Sequence, residues 1–312
     1  MITPILPGER AEIMQSAEAV KGRSLWVDAR RRLFRNKAAV VSMIVLGIIT
    51  LMAIFAPLLS PYAFDEIDYD LVQRAPSWWP GDDVLGYAGG AHWFGMDSVG
   101  RDLFIRTLYG ARVSLAVGLV ATCVSLMIGV LYGATAGFLG GRIDNLMMRF
   151  VDILYSLPFI FFVIILMVIF EQNFILLFVA IGAVEWLTMA RIVRGQTLSV
   201  KQKEFVEAAR AGGVGTWGII TRHIIPNVVG PVIIYVTLTI PAVILAESFL
   251  SFLGLGIREP MTSWGVLISE GANALETAPW LLIFPAVFMA ITLFCFNFIG
   301  DGLRDALDPK DR

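Results

Sequence analysis

The sequence predicts an all-α integral membrane protein with six transmembrane helices and with both termini in the cytoplasm. Three observations predict this fold class. The 312 residues are 57% hydrophobic and only 16% charged, whereas a soluble domain carries about 25% charged residues, so membrane lipid is the expected surrounding. Several uncharged runs reach the roughly 20 residues that a helix needs to cross the hydrocarbon layer. Basic residues cluster at alternate ends of these runs, and such clusters mark the cytoplasmic side.

Residues 1–37 are predicted to form a cytoplasmic N-terminal tail, and residues 38–60 the first transmembrane helix. The tail is polar and places seven basic residues just before the first apolar run: Lys21, Arg23, Arg30, Arg31, Arg32, Arg35 and Lys37. This is a strong positive-inside signal. A cleaved signal peptide is the alternative, but the run is too long and no small-residue cleavage site follows it.

Residues 61–110 are predicted to be an outer segment that contains an interfacial helix. The segment up to Gly100 is rich in Pro, Gly, Trp and Asp, and its charge is mainly negative, as expected on the outer side. Residues 94–115 have the pattern of an interfacial helix that leads into the second span. Arg101, Arg106 and Arg112 would then lie outside, which runs against the positive-inside rule.

Residues 111–301 are predicted to form a transmembrane core of five further helices. We expect the second span over 113–141, the third over 150–170 with a kink at Pro158, the fourth over 174–190, the fifth over 224–255 with breaks at Pro231 and Pro241, and the sixth over 277–300. Residues 171–173 form an outer turn, residues 256–280 an outer loop, and residues 302–312 a cytoplasmic tail.

The second span carries a glycine at every fourth position, at Gly129, Gly133 and Gly137. Residues four apart lie on one face of a helix, so this stripe lets another helix approach closely. Chance placement in a glycine-rich span is the alternative.

The chain from Lys203 to Asn227 is polar and interrupts the apolar second half of the sequence. Residues 203–213 predict a short helix of strong helix formers that ends at Gly212 and Gly213. Glu207 is flanked by the small Ala208 and Ala209, which suits a helix that inserts into another protein's groove and leaves one carboxylate to pair with a partner's cation. A solvated amphipathic loop helix is the alternative interpretation.

Three carboxylates, Asp152, Glu185 and Glu247, fall within predicted spans, where an ionised group costs a few kcal/mol or more unless it is paired or faces water. They could line a water-filled path and offer acceptors to peptide amides or to the peptide amino terminus. Alternatively they are structural, with Asp152 close to Arg149 and Glu185 within reach of Arg191. For Glu247 both interpretations stay open.

Several kinds of chemistry are not indicated. The sequence contains no G-x-x-x-x-G-K-[ST] phosphate loop, so this polypeptide is not expected to hydrolyse ATP, and it contains no H-E-x-x-H or G-x-S-x-G motif. Two cysteines in apolar runs and two histidines make a metal site improbable. A net charge of −2 argues against a nucleic-acid partner.

The polar segment resembles the EAA motif of the membrane subunits of bacterial ABC importers, whose pattern is E-A-A, three residues, G, nine residues, I-x-L-P. Glu207-Ala208-Ala209, Gly213 and Pro226 match it; His223 stands where the family usually has Ile, and Ile225 where it has Leu. Further stretches resemble the peptide and nickel permease branch of these importers: G-R-D-L-F-I-R (100–106), A-R-I-V-R-G-Q-T-L-S (190–199), E-S-F-L-S-F-L-G-L-G (247–256), S-W-G (263–265) and F-N-F-I-G-D-G-L-R-D-A-L-D-P-K-D-R (296–312).

This resemblance implies the ABC importer type I transmembrane fold in a bacterial inner membrane. It implies a coupling helix at 203–213, seated in a cleft of a separate ATPase subunit, with six site residues: Glu204, Glu207, Ala208, Ala209, Gly213 and Pro226. The implied partners are a second homologous permease subunit, two cytoplasmic ATPase subunits and an outer peptide-binding protein. The chain itself would be non-catalytic and hold no cofactor, because ATP and Mg would bind to the ATPase subunits.

Oligopeptides are the substrate class implied by the resemblance of the N-terminal stretch G-R-S-L-W-V-D-A-R-R-R (22–32) and by the similarity through 190–227. Dipeptides and nickel are the alternatives within the branch. Two other classes of protein fit parts of the pattern. One is a secondary transporter driven by an ion gradient, which could use the same intramembrane carboxylates. The other is a structural membrane scaffold whose polar helix docks some other cytoplasmic protein.

Overall fold

The structure is a computed structural model, and it describes residues 25–78, 92–169 and 174–307. Some features that the sequence predicts lie outside these ranges. They are the basic residues Lys21 and Arg23, the outer turn at 171–173 and the end of the C-terminal tail at 308–312.

The described ranges form twelve α-helices, which we number α1 (Leu25–Arg35), α2 (Lys37–Ile54), α3 (Ala56–Leu59), α4 (Leu103–Leu139), α5 (Gly141–Ser156), α6 (Phe159–Ile169), α7 (Phe174–Val200), α8 (Glu204–Ala211), α9 (Thr216–Ile219), α10 (Ile225–Phe252), α11 (Trp264–Asn273) and α12 (Trp280–Leu307). A 3₁₀ turn covers Tyr69–Leu71, and a π-helical segment at Ile220–Ile224 joins α9 to α10.

The 37-residue α4 is the central element of the fold. Its N-terminus is capped by Asp102, whose side chain accepts a hydrogen bond from the Ile105 N–H at 2.9 Å. The interfacial helix expected over 94–115 does not form as a separate element: residues 94–102 are a loop with an isolated bridge between Met96 and Asp102. The Asp102 cap starts the helix after that loop, and α4 then continues without a break through the second span.

The glycine stripe of α4 packs directly against α7, which confirms the predicted close approach. A Cβ added to Gly133 would lie 2.3 Å from the Ala190 carbonyl oxygen, and one added to Gly129 would lie 2.6 Å from the Met189 Cβ. Residue numbers rise together along both helices, so α4 and α7 run parallel. The chain between them must therefore return across the thickness of the bundle.

The α5–α6 pair makes this return. It bends by 82° around Pro158, because the proline lacks an N–H and disfavours a helical conformation in the preceding residue. The kink predicted at Pro158 is confirmed, and the helix that precedes it begins earlier than the predicted start of the third span at residue 150. Helix α5 starts at Gly141 and ends at Ser156, and α6 covers Phe159–Ile169. The 150–170 segment therefore consists of two helical arms.

Four helical stretches of the described chain are long and apolar enough to cross a membrane, and the bent α5–α6 pair would make a fifth: Lys37–Ile54, Leu103–Leu139, Thr216–Phe252 and Trp280–Leu307. The breaks expected at Pro231 and Pro241 do not occur, because α10 is continuous through both. Each proline leaves one carbonyl without its i+4 donor, that of Asn227 and that of Thr237, and the helix continues past both.

The register of the remaining contacts places three elements at one end of the bundle. Helix α10 runs antiparallel to α4, since Gly118 of α4 lies against Ile244 while Val130, later in α4, shares a cluster with Val228, early in α10. Helix α12 runs antiparallel to α10, since the Ser248 hydroxyl donates to the Met289 sulfur while Gly300 lies against Leu238. It also runs antiparallel to α2, with Gly302 against Ala39 and Met289 packed near Ala53. Consequently α1, α8 and the C-terminus of α12 share one end, which we call the α8 end, and α11 lies at the opposite end.

Candidate coupling site and intramembrane carboxylates

Helix α8 forms where the sequence predicts the coupling helix. Lys203 precedes it with an extended backbone, and Glu204 and Glu207 occupy its first turn while Arg210 occupies its last. Acidic residues near a helix N-terminus and basic residues near its C-terminus are favourable with respect to the helix dipole. The order of charges in the sequence therefore stabilises a helix of only eight residues.

Gly213 ends α8 in a Schellman motif. Its φ is +79°, a left-handed conformation that glycine adopts at little cost. The Gly213 N–H donates to the Arg210 carbonyl and the Val214 N–H donates to the Ala209 carbonyl, both at 3.1 Å, which is the pair of bonds that defines the motif. Val214 then packs against the apolar cluster beneath α8.

Helix α8 has one inner face and one outer face. Val206 is fully buried, Ala209 is half-buried against the same cluster, and Arg210 stacks over the Phe138 ring at 5.5 Å. The outer face exposes four residues: Glu204, Phe205, Glu207 and Ala208. Ala209 was expected beside Glu207 on the groove-facing surface, but it faces inward, so Ala208 supplies the small side chain of the outer face.

The seat of α8 is built from the ends of the helices at the α8 end. Its apolar cluster includes Phe138 of α4, Val193 of α7 and Ile224 of the π-helical segment. Lys201 Nζ donates to the Gly137 carbonyl at 2.8 Å, which ties the loop before α8 to the last turn of α4. The seat of α8 is therefore shared by α4, α7, the π-helical segment and α10.

Pro226 is the second residue of α10 and follows the π-helical segment. Proline has no N–H, so the Arg222 carbonyl receives no i to i+4 bond from it. The turn before it is wider than an α-helical turn, and the Ile225 N–H donates to the Ile220 carbonyl five residues back. The sequence reasoning missed this π-helical segment. Pro226 of the EAA-like motif was the one feature of the sequence that could have indicated this segment.

Asp152 is paired with a different arginine from the one expected. Its Oδ1 accepts a hydrogen bond from Arg191 Nη2 at 2.8 Å, and both side chains are substantially exposed. Arg191 also lies over the Tyr155 ring at 4.4 Å. The expected closeness to Arg149 was inferred from helical spacing, whereas the partner comes from α7.

Glu247 is fully buried and connects α10 to α11. Its Oε1 accepts hydrogen bonds from the Ser251 hydroxyl at 2.7 Å and the Ser263 hydroxyl at 2.6 Å. The Ser263 Oγ in turn accepts from the Val266 N–H at 3.2 Å and so caps α11. This geometry favours the interhelical interpretation of Glu247.

Glu185 is half-buried and lines a cavity of about 520 Å³ between α7 and the bend of the α5–α6 pair. The expected contact with Arg191 is not formed, since Arg191 is bonded to Asp152. Among the described residues, Glu185 has no ion-pair partner. The structure therefore separates the three predicted carboxylates into distinct environments.

A buried ion network at the opposite end explains two of the outer arginines. Arg101 Nε lies 2.7 Å and Arg106 Nε 3.2 Å from Asp97 Oδ2, and Arg101 also bonds Glu259 at 2.8 Å. Burial raises the pKa of Glu270, and the nearby Arg106 partly opposes that shift. Sequence reasoning missed this network, although the surplus of outer arginines is its signal.

Arg112, the third outer arginine, bonds to the backbone at the end of α2. Arg112 donates to the Ala53 and Ile54 carbonyls at the end of α2, so it caps a helix C-terminus.

Within the described ranges, no group of three or more His, Cys, Asp or Glu side chains is arranged to hold a metal ion.

Comparison with known proteins places the chain in a family. The model described as "Binding-protein-dependent transport system inner membrane component" matches residues 129–312. The model described as "N-terminal TM domain of oligopeptide transport permease C" matches residues 24–76.

Similar curated proteins match over nearly their whole length. The oligopeptide transport system permease protein OppC of Haemophilus influenzae is 56% identical over 97% of this chain and 93% of its own. The OppC of Escherichia coli K12 is 58% identical over 94% of each chain. The dipeptide transport system permease protein DppC of Bacillus subtilis is 44% identical over 96% of this chain and 90% of its own. The chain therefore belongs to the family of binding-protein-dependent transport system inner membrane components.

Proposed function

We propose that this chain is a membrane-spanning permease subunit of an ATP-driven importer, forms half of the translocation pathway for oligopeptides, and couples to cytoplasmic ATPase subunits through α8. Oligopeptides are proposed as the substrate class because the chain is 56% and 58% identical to two oligopeptide permeases across nearly its full length. The chain is a multi-pass protein of the inner membrane, as its family and its apolar helices indicate.

Six crossings with both termini in the cytoplasm agree with the packing. The crossing elements would be α2, α4, the α5–α6 pair, α7, α10 and α12. The parallel packing of α4 and α7 supports a crossing between them, and the antiparallel packing of α10 and α12 supports opposite directions for these two helices. Basic residues of α1 lie at the α8 end, which supports a cytoplasmic position for that end by the positive-inside rule.

The proposed partners follow the composition of such importers. They are an OppB-like second permease subunit, OppD-like and OppF-like ATPase subunits and an OppA-like outer binding protein. ATP and Mg would bind in the ATPase subunits, and this chain would supply no catalytic group. Closure of the ATPase pair would move α8 as a rigid body, and its seat on α4, α7 and α10 would carry that motion into the membrane.

A dipeptide permease is the second candidate substrate class. It is favoured by the 44% identity to the dipeptide permease of Bacillus subtilis. Uptake assays with peptides of two to five residues separate the two classes, since an oligopeptide importer transports the longer peptides.

The coupling role is tested with Glu207→Arg in the reconstituted complex. Glu207 is exposed on the outer face of α8, so the fold should persist while the charge presented to the ATPase is reversed. We expect ATP-driven peptide uptake to fall by at least ten-fold. This corresponds to the roughly 1.5–3 kcal/mol of a charge-assisted contact.

The matched control is Glu276→Arg, which makes the same change at an exposed position of the opposite end. It should keep normal uptake. Normal uptake by Glu207→Arg with the ATPase subunits still bound would contradict the coupling role.

A further inference from the structure

The cavity beside the α5–α6 bend has the dimensions of a ligand site. Its volume is about 520 Å³, within the roughly 300–1,000 Å³ of small-molecule pockets. Its walls are mainly apolar and aromatic, with Tyr155 and Phe162 from the bent pair and Trp186 from α7. Such walls can contact many different side chains without selecting one.

Among the described residues that line this cavity, Glu185 is the only carboxylate. It is the twelfth residue of α7, about 16.5 Å from the start of the helix at 1.5 Å per residue. That position lies near the middle of a spanning helix, where an ionised group is expensive unless a partner or water stabilises it.

The other acidic side chains on the helices around Glu185 already have partners. Asp144 is held by both Nε and Nη2 of Arg194 at 2.5 and 2.6 Å. Asp152 is held by Arg191, and Glu247 by two serine hydroxyls. Within the described part of the chain, Glu185 alone among these four faces a cavity without a cation or a hydroxyl bonded to it. A cationic partner from outside the chain would satisfy it.

We propose that the Glu185 carboxylate binds the α-ammonium group of a transported peptide in this cavity. This inference rests on the proposed function. Every peptide with a free amino terminus carries this cation whatever its sequence, so one carboxylate among apolar walls suits a permissive transporter. Thr188 lies on the same cavity wall three residues later, and its hydroxyl can accept a second hydrogen bond from the ammonium group.

The described residues that line the cavity include no cation to match the peptide carboxylate. Arg191, the nearest arginine along α7, is already neutralised by Asp152 and stacked on Tyr155. The site would therefore hold a peptide by its amino end only, which places no limit on peptide length.

The test uses the assembled complex of both permease subunits and the ATPase subunits in lipid nanodiscs, without the binding protein. The probes are trialanine and N-acetyl-trialanine, and the variants are Glu185→Gln and, as control, Glu276→Gln. We expect the wild-type complex and the control to bind trialanine about ten-fold or more tightly than the acetylated peptide. Glu185→Gln should bind both peptides equally weakly.

Three results would overturn the inference. The first is tight binding of trialanine by Glu185→Gln. The second is separation of the two permease subunits in Glu185→Gln, which would show that Glu185 pairs with a basic residue of the second subunit. The third is a wild-type complex that binds neither peptide but takes up peptide with ATP once the binding protein is added, which would leave the proposed function intact. Failure of the complete wild-type system to take up any peptide would instead contradict the proposed function.

Discussion

Gly213 is the residue that allows the tight turn at the end of α8. Its φ of +79° is required by the turn that stops α8, and a Cβ there would meet no atom within 4 Å. The requirement is therefore purely conformational. An L-residue in this region costs about 1–2 kcal/mol.

We expect Gly213→Ala to loosen α8 without changing its contacts. Amide hydrogen exchange in α8 should become about 5–30-fold faster, the factor that corresponds to 1–2 kcal/mol. Gly215→Ala is the matched control, because Gly215 is equally uncrowded and has a φ of −67°. Equal exchange rates in the two variants would contradict the assignment of a strained turn at Gly213.

Single residues also show where sequence reasoning succeeds. Gly213 and the helix before it were predictable, because glycine and charge order act locally. The inward orientation of Ala209 was not, since it depends on an apolar cluster drawn from α4, α7 and the π-helical segment. The partners of Asp152 and Glu185 were predicted wrongly for the same reason. Arg191 lies much closer to Glu185 than to Asp152 in the sequence, yet the packing of α5 against α7 pairs it with Asp152.

The parallel pair of α4 and α7 is the dominant contact at the scale of elements. The glycine stripe brings the two backbones together, so the contact depends on the absence of three side chains. Interhelical packing of this kind supplies the association energy that the hydrophobic effect does not provide within lipid.

Gly133→Ala should separate α4 from α7. The added methyl would lie 2.3 Å from the Ala190 carbonyl oxygen, and overpacking of this kind costs about 1–3 kcal/mol. Gly230→Ala in α10 is the matched control, because no atom lies within 4 Å of its added Cβ and alanine has the higher helix propensity. In thermal unfolding in detergent, Gly133→Ala should melt below the wild type and Gly230→Ala at or above it. Equal melting temperatures would contradict the close contact.

The elements differ in how much the sequence reveals. The apolar runs predict α2, α4 and α12 because length and composition suffice for a span. Helix α11 was missed inside the predicted outer loop, although Ser263 before Trp264 is a typical N-cap. Its stability comes from distant partners, since the Trp264 Nε1 donates to the Thr107 carbonyl at 3.1 Å and its N–H donates to Ser114 at 3.1 Å.

The two ends of the whole molecule are made of different elements: α1, α8 and the C-terminus of α12 share one end, and α11 lies at the other. Labelling with a membrane-impermeant maleimide tests this arrangement in a chain whose Cys123 and Cys295 are replaced by alanine. Single cysteines at Gln202 and Arg304 should react only from the cytoplasmic side, and one at Glu276 only from the outer side. Reaction of Gln202→Cys from outside would contradict the orientation and the coupling role together.

The length of α4 has a mechanical consequence. Arg106, near its first turn, belongs to the buried ion network, and Gly137, in its last turn, holds Lys201. Helix α4 has 37 residues and is therefore about 55 Å long. Pivoting it by roughly 5° about its middle would swing each tip about 2.4 Å in opposite directions. In the proposed coupling, a push on α8 would reach α4 through the Lys201 contact and would be carried as tip travel to the end of α4 at the buried ion network.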